Sequence, residues 1–164
     1  MTLVVADTSP LNYLILIDAI DVLPQLFGVV VVPRQVIVEL VDPAAPDDVR
    51  TWASSLPSWI DVREVVVANE EMRHLDPGER AAILLAQSEA DALLLIDETA
   101  GRIEASRRGI RNTGTLGVLR AAAATNHVDL PTALTRLLET NFRVSTQLLS
   151  ALLADDAERR RGTE

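Results

Sequence analysis

Short apolar runs rich in β-branched residues or leucine alternate along this chain with longer amphipathic stretches. The runs lie near residues 3–6, 29–32, 61–67, 92–96 and 110–112. Such alternation is typical of α/β proteins, in which helices connect the strands of a mostly parallel sheet. We therefore predict an α/β fold with about five strands.

Helix starts are marked by cap residues or by a proline suited to a first turn. They occur at Ser9-Pro10, Pro33, Pro46-Asp47, Asp76-Pro77, Thr99, Thr115 and Pro131. Two final helices are predicted at 131–140 and 145–160, separated by Thr140-Asn141-Phe142-Arg143, and the polar run beyond Asp155 is expected to fray. With 164 residues and 48% apolar content, we predict one domain over residues 1–164.

The composition excludes several classes of site. Cysteine is absent, which excludes disulfides, thiolate metal sites and cysteine nucleophiles. Two histidines are too few for a histidine-rich zinc or iron site. All fifteen cationic residues are arginine, so mechanisms that need lysine are also excluded. The N-terminus has no signal-peptide pattern, and no apolar run approaches the roughly 20 residues of a membrane span. We expect a soluble, cytoplasmic protein with no membrane partner, in which any metal is held by oxygen.

Two aspartates come directly after apolar strands. Asp7 follows the first predicted strand, and Asp97 follows the fourth and precedes Glu98. The carboxyl ends of parallel strands share one edge of the sheet, where open α/β sheets bind ligands. Each aspartate could instead cap the helix that follows it, and these residues alone leave both alternatives open.

Two glutamates lie on predicted helices that connect to the same edge. Glu39 is the only charged residue between positions 35 and 41, so we expect it to face inward or into a cleft, although a surface position stays open. Glu79 heads an apolar helix, but Asp76-Pro77-Gly78-Glu79 has the spacing of a capping box. Taken alone, Glu79 is better explained as part of a cap.

The four carboxylates together suggest a metal site. If folding brings them together, their mutual repulsion is tolerable only with a cation among them. Carboxylates without histidine or cysteine suit Mg²⁺ or Mn²⁺, ions that activate water and stabilise a leaving oxygen in phosphodiester cleavage. Our metal-site hypothesis comprises Asp7, Glu39, Glu79 and Asp97, with Glu98 as a further candidate.

The order of these motifs resembles that of PIN-domain ribonucleases. The matching segments are Val5-Ala6-Asp7-Thr8-Ser9-Pro10-Leu11, residues 33–40, Leu75-Asp76-Pro77-Gly78-Glu79 and residues 92–98. The Asp-Thr-Ser-Pro-Leu and Leu-Asp-x-Gly-Glu motifs are most similar to the VapC-like branch. The resemblance implies a three-layer α/β/α fold with a mostly parallel sheet. It also implies that the four acids coordinate Mg²⁺ or Mn²⁺ for the hydrolysis of RNA phosphodiester bonds.

The chain departs from the family pattern near the helix after the last strand. Many members have an acid or a hydroxyl residue there, and this chain offers Thr113-Gly114-Thr115. Thr115 could orient water or a phosphate, as could Ser9 beside Asp7. The segment contains no acid, so a fifth acidic ligand is absent. We favour an ordinary helix cap as the role of Thr115.

The net charge of −9 hides one basic segment. Residues 101–125 contain five arginines and one glutamate. Arg102, Arg107, Arg108 and Arg111 could hold RNA phosphates beside the metal. A solvated helix face paired with Glu104 explains them equally well.

The resemblance also implies partners. They are an RNA substrate, a cognate antitoxin whose basic segment enters the acidic cleft, and a second copy of the chain in a homodimer. The apolar residues of 148–153 could pack within the chain or across such a dimer. The alternative function is a PIN-like module that binds metal, RNA or protein with little or no nuclease activity.

Overall fold

Five strands form one sheet in which all paired neighbours are parallel. The computed structural model describes residues 1–68 and 70–162. The strands are β1 (Leu3–Ala6), β2 (Val30–Pro33), β3 (Ile60–Arg63), β4 (Ala92–Leu95) and β5 (Arg111–Thr113). Their order across the sheet is β3-β2-β1-β4-β5.

Helices connect the strands and continue beyond the last of them. In chain order they are α1 (Thr8–Leu16), α2 (Val22–Phe27), α3 (Arg34–Leu40), α4 (Asp47–Ser54), α5 (Pro77–Gln87), α6 (Thr99–Arg107), α7 (Thr115–Ala124), α8 (Leu130–Leu138) and α9 (Thr146–Arg161). No helix in the described ranges is long and apolar enough to cross a bilayer.

Both faces of the sheet are covered by helices. Side chains alternate along a strand, so Val4 and Ala6 pack into one core cluster while Val5 packs into the other. The first cluster contains residues of α1, α2, α3, α4, α7 and α8, and the second contains residues of α5 and α6. Strands buried on both faces read as continuous apolar runs, as these do. The predicted fold class, a three-layer α/β/α fold with a mostly parallel sheet of about five strands, is confirmed.

Three elements differ most from the prediction. Strand β3 ends at Arg63 rather than near residue 67, because its ladder partner Pro33 is the last residue of β2 and the chain then turns into α3. Helix α2 was not predicted. Helix α9 continues past Asp155, where we expected fraying, because buried Asp156 pairs with Arg159 and Arg160.

The strand order creates a crevice between β1 and β4. The chain proceeds from β1 through β2 to β3 in one direction, and β4 and β5 lie on the other side of β1. Ligands of open α/β sheets bind outside the carboxyl ends of the strands at such a switch point. Asp7 and Asp97 follow the two strands that flank it.

Candidate metal centre

Asp7 is held at the end of β1 with its carboxylate buried. Its backbone N–H donates to the Leu95 carbonyl at 2.9 Å, and the residue is only 3% exposed. Although it occupies the N-cap position of α1, its side chain makes no capping bond. Its Oδ1 has no hydrogen-bond partner in the described part of the chain. A buried carboxylate oxygen without a partner is costly, so capping does not explain this residue.

The surroundings of Asp7 disfavour its charge. Burial raises the pKa of Asp7 well above its ordinary value, and the backbone N–H of Thr8 offsets only part of that effect. The carboxylates of Asp76, Glu79 and Glu39 raise the pKa further. A cation at this position would stabilise the ionised form.

Glu39 is half-buried on α3 and bonded to two other elements. The Thr8 hydroxyl donates to its Oε2, and the Gly78 backbone N–H donates to its Oε1 at 2.9 Å. Burial raises the pKa of Glu39 despite these two donors. The expectation that this lone charge faces a cleft rather than open solvent agrees with that position.

Asp76 joins Asp7 and Glu39 in one compact group. Each of the three offers a carboxylate oxygen, and these oxygens lie within 4.8 Å of one another. Asp76 also caps α5, since its Oδ1 accepts the Glu79 N–H at 2.8 Å. Sequence reasoning assigned Asp76 to the cap alone and missed it as a site residue. The signal that could have identified Asp76 is its position in the Leu-Asp-x-Gly-Glu motif, which was already matched in the sequence.

Glu79 lies beside this group but is not one of the three. The residue is 6% exposed, and its Oε2 has no hydrogen-bond partner among the described residues. Burial, followed by the Asp76 side chain, raises the pKa of Glu79 to about 8. Its charge in turn raises the pKa of Asp7, so the two carboxylates are electrostatic neighbours.

Asp97 is oriented by three hydrogen bonds on the other side of the crevice. Its Oδ2 accepts the hydroxyls of Ser9 and Thr115, each at 2.8 Å, and its Oδ1 accepts the Thr115 N–H at 2.7 Å. The helix-cap explanation for Thr115 needs correction. Gly114 occupies the N-cap position of α7, and the buried Thr115 hydroxyl serves Asp97 instead.

Glu98 follows Asp97 and is exposed at the N-cap position of α6, where its side chain makes no capping bond. It is not one of the three grouped acids. Its charge contributes to the raised pKa of Glu79, so it lies at the rim of the acidic cluster.

Three glycines lie directly against the acids. A Cβ at Gly78 would come within 2.5 Å of Glu39 Oε2. The corresponding distances are 2.6 Å from Gly101 to Glu79 Oε2 and 2.6 Å from Gly114 to Asp97 Oδ1. These contacts are closer than a side chain allows, so the absence of a Cβ sets where the carboxylates lie.

The basic segment divides between the two edges of the sheet. Arg108 follows the C-terminal end of α6 and bonds Glu104, Gln87 and Glu71. Arg107 also pairs with Glu104, and Arg111 pairs with Asp91 at the amino edge. Of the two alternatives for Arg108, these contacts favour the helix face paired with Glu104, and a phosphate-binding role stays a prediction. Arg102, in the first turns of α6, bonds Asn112 and remains at the acidic edge.

Comparison with known families agrees with this geometry. A family profile described as a PIN domain matches residues 3–158. The chain belongs to the PIN-domain family. PIN domains are generally metal-dependent nucleases and typically use divalent metals, and in this PIN domain three acids lie close together. No match was found among curated proteins or solved structures.

The raised pKa values predict how this PIN domain responds to pH without metal. Asp7, Glu39 and Glu79 each have a folded-state pKa above the unfolded value. Their stabilising contribution is therefore complete below about pH 4 and is lost as the pH rises to about 8, the pKa of Glu79. In EDTA, we expect the melting temperature to fall by several degrees between about pH 5 and about pH 8.5, measured by calorimetry. Carboxylates whose pKa is lowered by an ion pair contribute the background pH dependence of the stability. A melting temperature that stays constant or rises over this pH range would contradict the prediction.

Proposed function

We propose that this PIN domain is an Mg²⁺- or Mn²⁺-dependent endoribonuclease that hydrolyses RNA phosphodiester bonds. One observation carries the proposal. Oxygens of Asp7, Glu39 and Asp76 lie within 4.8 Å of one another, and the buried Oδ1 of Asp7 has no hydrogen-bond partner within the described chain. Three carboxylates without nitrogen or sulfur donors fit a hard divalent cation.

Asp7, Glu39 and Asp76 would hold the ion, with Glu79 and Asp97 next to them. A bound Mg²⁺ or Mn²⁺ would supply water activation and charge neutralisation at a phosphate. The chain itself sets the geometry. Thr8 and Gly78 orient Glu39, and Ser9 and Thr115 fix the orientation of the Asp97 carboxylate at the crevice.

Charge explains why activity should depend strictly on the cation. Without metal, an RNA phosphate that approaches Asp7, Glu39, Glu79 and Asp97 is repelled by every carboxylate among them that is ionised. Arg102 is the arginine of the expected phosphate-binding set that lies at this edge. Exposed arginine beside an acidic metal site can align a phosphate that the ion then neutralises.

We further propose that the protein is the toxin of a toxin–antitoxin pair, in the VapC-like branch. The Asp-Thr-Ser-Pro-Leu motif supports this, since its aspartate and serine both serve the acidic crevice. A cognate antitoxin with a basic segment would bind the acids that repel RNA. A homodimer is part of the same proposal, although Leu149, Leu152 and Leu153 pack against their own core and leave Leu148 as the exposed leucine of that run.

The first test is metal-dependent RNA cleavage by the purified protein. We expect cleavage with Mg²⁺ or Mn²⁺ and none in EDTA. Asp97→Asn should lose at least tenfold in activity, because it replaces with an uncharged amide the carboxylate that accepts two hydroxyls. Asp155→Asn, which breaks an exposed pair with Arg120, is the matched control. Cleavage that survives both EDTA and Asp97→Asn would refute the proposal.

A non-catalytic binding module is the second candidate, because an acid cluster can bind metal without a productive RNA geometry. Growth of a host that expresses the chain separates the two. Growth arrest that is relieved by the small basic product of a neighbouring gene supports the toxin, and unchanged growth supports the binding module.

A further inference from the structure

The segment between α8 and α9 is tied to the helix that carries the acidic motif. Ser9 and Tyr13 are four residues apart on α1 and therefore share one face. Ser9 donates to Asp97 at 2.8 Å, and one turn later the Tyr13 hydroxyl donates to Asn141 Oδ1 at 2.7 Å. The rings of Tyr13 and Phe142 meet edge to face, with centroids 4.9 Å apart and an interplanar angle of 85°.

Electrostatics agree that this aromatic pair lies near the acids. Burial raises the pKa of Tyr13, and the carboxylates of Asp97 and Glu98 raise it further. Both carboxylates are at the carboxyl end of β4. The Tyr13 ring therefore borders the crevice rather than a remote part of the surface.

Three consecutive side chains of the segment provide complementary chemistry. Asn141 and Arg143 are exposed, and Phe142 is half-buried. The oxygen of the Asn141 amide accepts the Tyr13 hydroxyl, and this bond fixes the orientation of the amide. The amide nitrogen donates to no group in the described part of the chain. Arg143 forms no ion pair within the same residues. An amide donor, an aromatic ring and a guanidinium are the groups with which proteins bind bases and phosphates of single strands.

The same aromatic pair is unusual in its setting. Phenylalanine, tyrosine and tryptophan make up only 3% of the chain. The tryptophans Trp52 and Trp59 pack against each other elsewhere, on α4 and beside β3. The only tyrosine and one of two phenylalanines thus lie next to the acids, which concentrates the capacity for base stacking there.

We propose that Tyr13, Asn141, Phe142 and Arg143 form a nucleotide subsite for single-stranded RNA beside the acidic crevice. A base stacks on the aromatic pair, the Asn141 amide nitrogen donates to an acceptor on the base edge, and Arg143 contacts the adjoining phosphate. Tyr13 is a positioning residue for Asn141 as well as part of the platform. This subsite rests on the proposed nuclease function and assigns the residues that hold a nucleotide beside the acids.

A purely structural role makes a different prediction from a binding role. Tyr13 and Phe142 also pack against the core cluster, so truncation to alanine could weaken the fold. Phe142→Leu keeps an apolar contact but removes the ring, and Tyr13→Phe keeps the ring but releases Asn141. Both variants therefore separate stacking and hydrogen bonding from packing.

The test combines cleavage of single-stranded RNA in Mn²⁺ with binding in Ca²⁺ of an oligonucleotide that contains 2-aminopurine. For Phe142→Leu, we expect the KM and Kd to rise roughly 5- to 100-fold, with kcat nearly unchanged and the fluorescence quenching of stacked 2-aminopurine lost. Arg143→Gln should weaken binding and reduce its salt dependence. Tyr13→Phe should reduce the preference among bases with little change in melting temperature.

The control is Arg161→Gln, which removes an equal charge from the far end of α9, about 22 Å from its start. It should leave KM unchanged. Wild-type KM and quenching in Phe142→Leu and Arg143→Gln, with RNA cleavage intact, would overturn the subsite and leave the nuclease proposal standing. Absence of RNA cleavage by the wild-type protein in Mn²⁺ would overturn both.

Discussion

Asp7→Asn is expected to abolish metal-dependent activity and, in the same protein, to raise the melting temperature measured without metal. The carboxylate is 3% exposed, one oxygen has no hydrogen-bond partner among the described residues, and three other carboxylates raise its pKa. Groups that only support a metal ligand typically change affinity or activity about 10- to 100-fold when they are lost. Loss of the central acid should exceed that range.

The gain in stability follows from the same environment. Asparagine is nearly isosteric with aspartate and carries no charge, so the variant avoids the burial of a repelled anion. For a chain of this size, each kcal/mol shifts the melting temperature by about 2–4 °C. We expect a rise of a few degrees in EDTA near pH 8 and a loss of the stabilisation that Mn²⁺ gives the wild type.

Thermal unfolding with and without Mn²⁺, together with titration calorimetry, measures both effects. Asp155→Asn removes an exposed aspartate that pairs with Arg120 and should change neither. Retention of Mn²⁺-dependent stabilisation by Asp7→Asn would show that the metal is held elsewhere.

Gly78→Ala should weaken metal binding by about tenfold or more while the fold is preserved. The new Cβ would lie 2.5 Å and 2.7 Å from the two carboxylate oxygens of Glu39. Those oxygens are the end of a flexible side chain, so Glu39 moves away and its bond from the Gly78 N–H is distorted. Alanine also favours helix over glycine by about 1 kcal/mol in the first turn of α5 and offsets part of the strain.

Two other glycines provide the comparison for this variant. Gly162→Ala places a Cβ 3.6 Å from the nearest heavy atom and should change neither metal binding nor stability. Gly101→Ala would place its Cβ 2.6 Å from both Glu79 Oε2 and Ile96 Cδ1, and Ile96 is a fully buried core residue. This variant should lose stability as well. Isothermal titration with Mn²⁺ and thermal unfolding measure the three variants, and wild-type affinity in Gly78→Ala would contradict the role of the glycine.

Local patterns correctly predicted the elements that depend on neighbouring residues. The strand ends at Asp7 and Asp97 were readable because a run of apolar residues stops at a charge and a helix start follows. Strand β3 was predicted too long because its end depends on where β2 turns into α3, which is a property of the partner strand. The sequence of residues 61–67 contains no mark of that event.

The site was predicted less completely than the fold. Asp76 was missed because its cap role fully explained it locally, while its proximity to Asp7 and Glu39 comes from residues far apart in the chain. The position of Arg108 could not be read from the sequence for a similar reason. A helix of nine residues carries its two ends to opposite edges of the sheet, and only α6 in three dimensions shows that Arg108 lies with Glu71 and Gln87.

The sequence by itself determined the order along the chain of the strands and of the helices other than α2, the oxygen-only chemistry of any metal site and the two aspartates at strand ends. These follow from hydrophobic periodicity, composition and caps, which act over a few residues. Only the tertiary structure decided that Glu39 and Asp76 meet at Asp7, that Ser9 and Thr115 orient Asp97, and that Tyr13 holds Asn141. Those contacts join residues 18 to 128 positions apart, and they form because strand order and helix packing close one crevice at the end of β1 and β4.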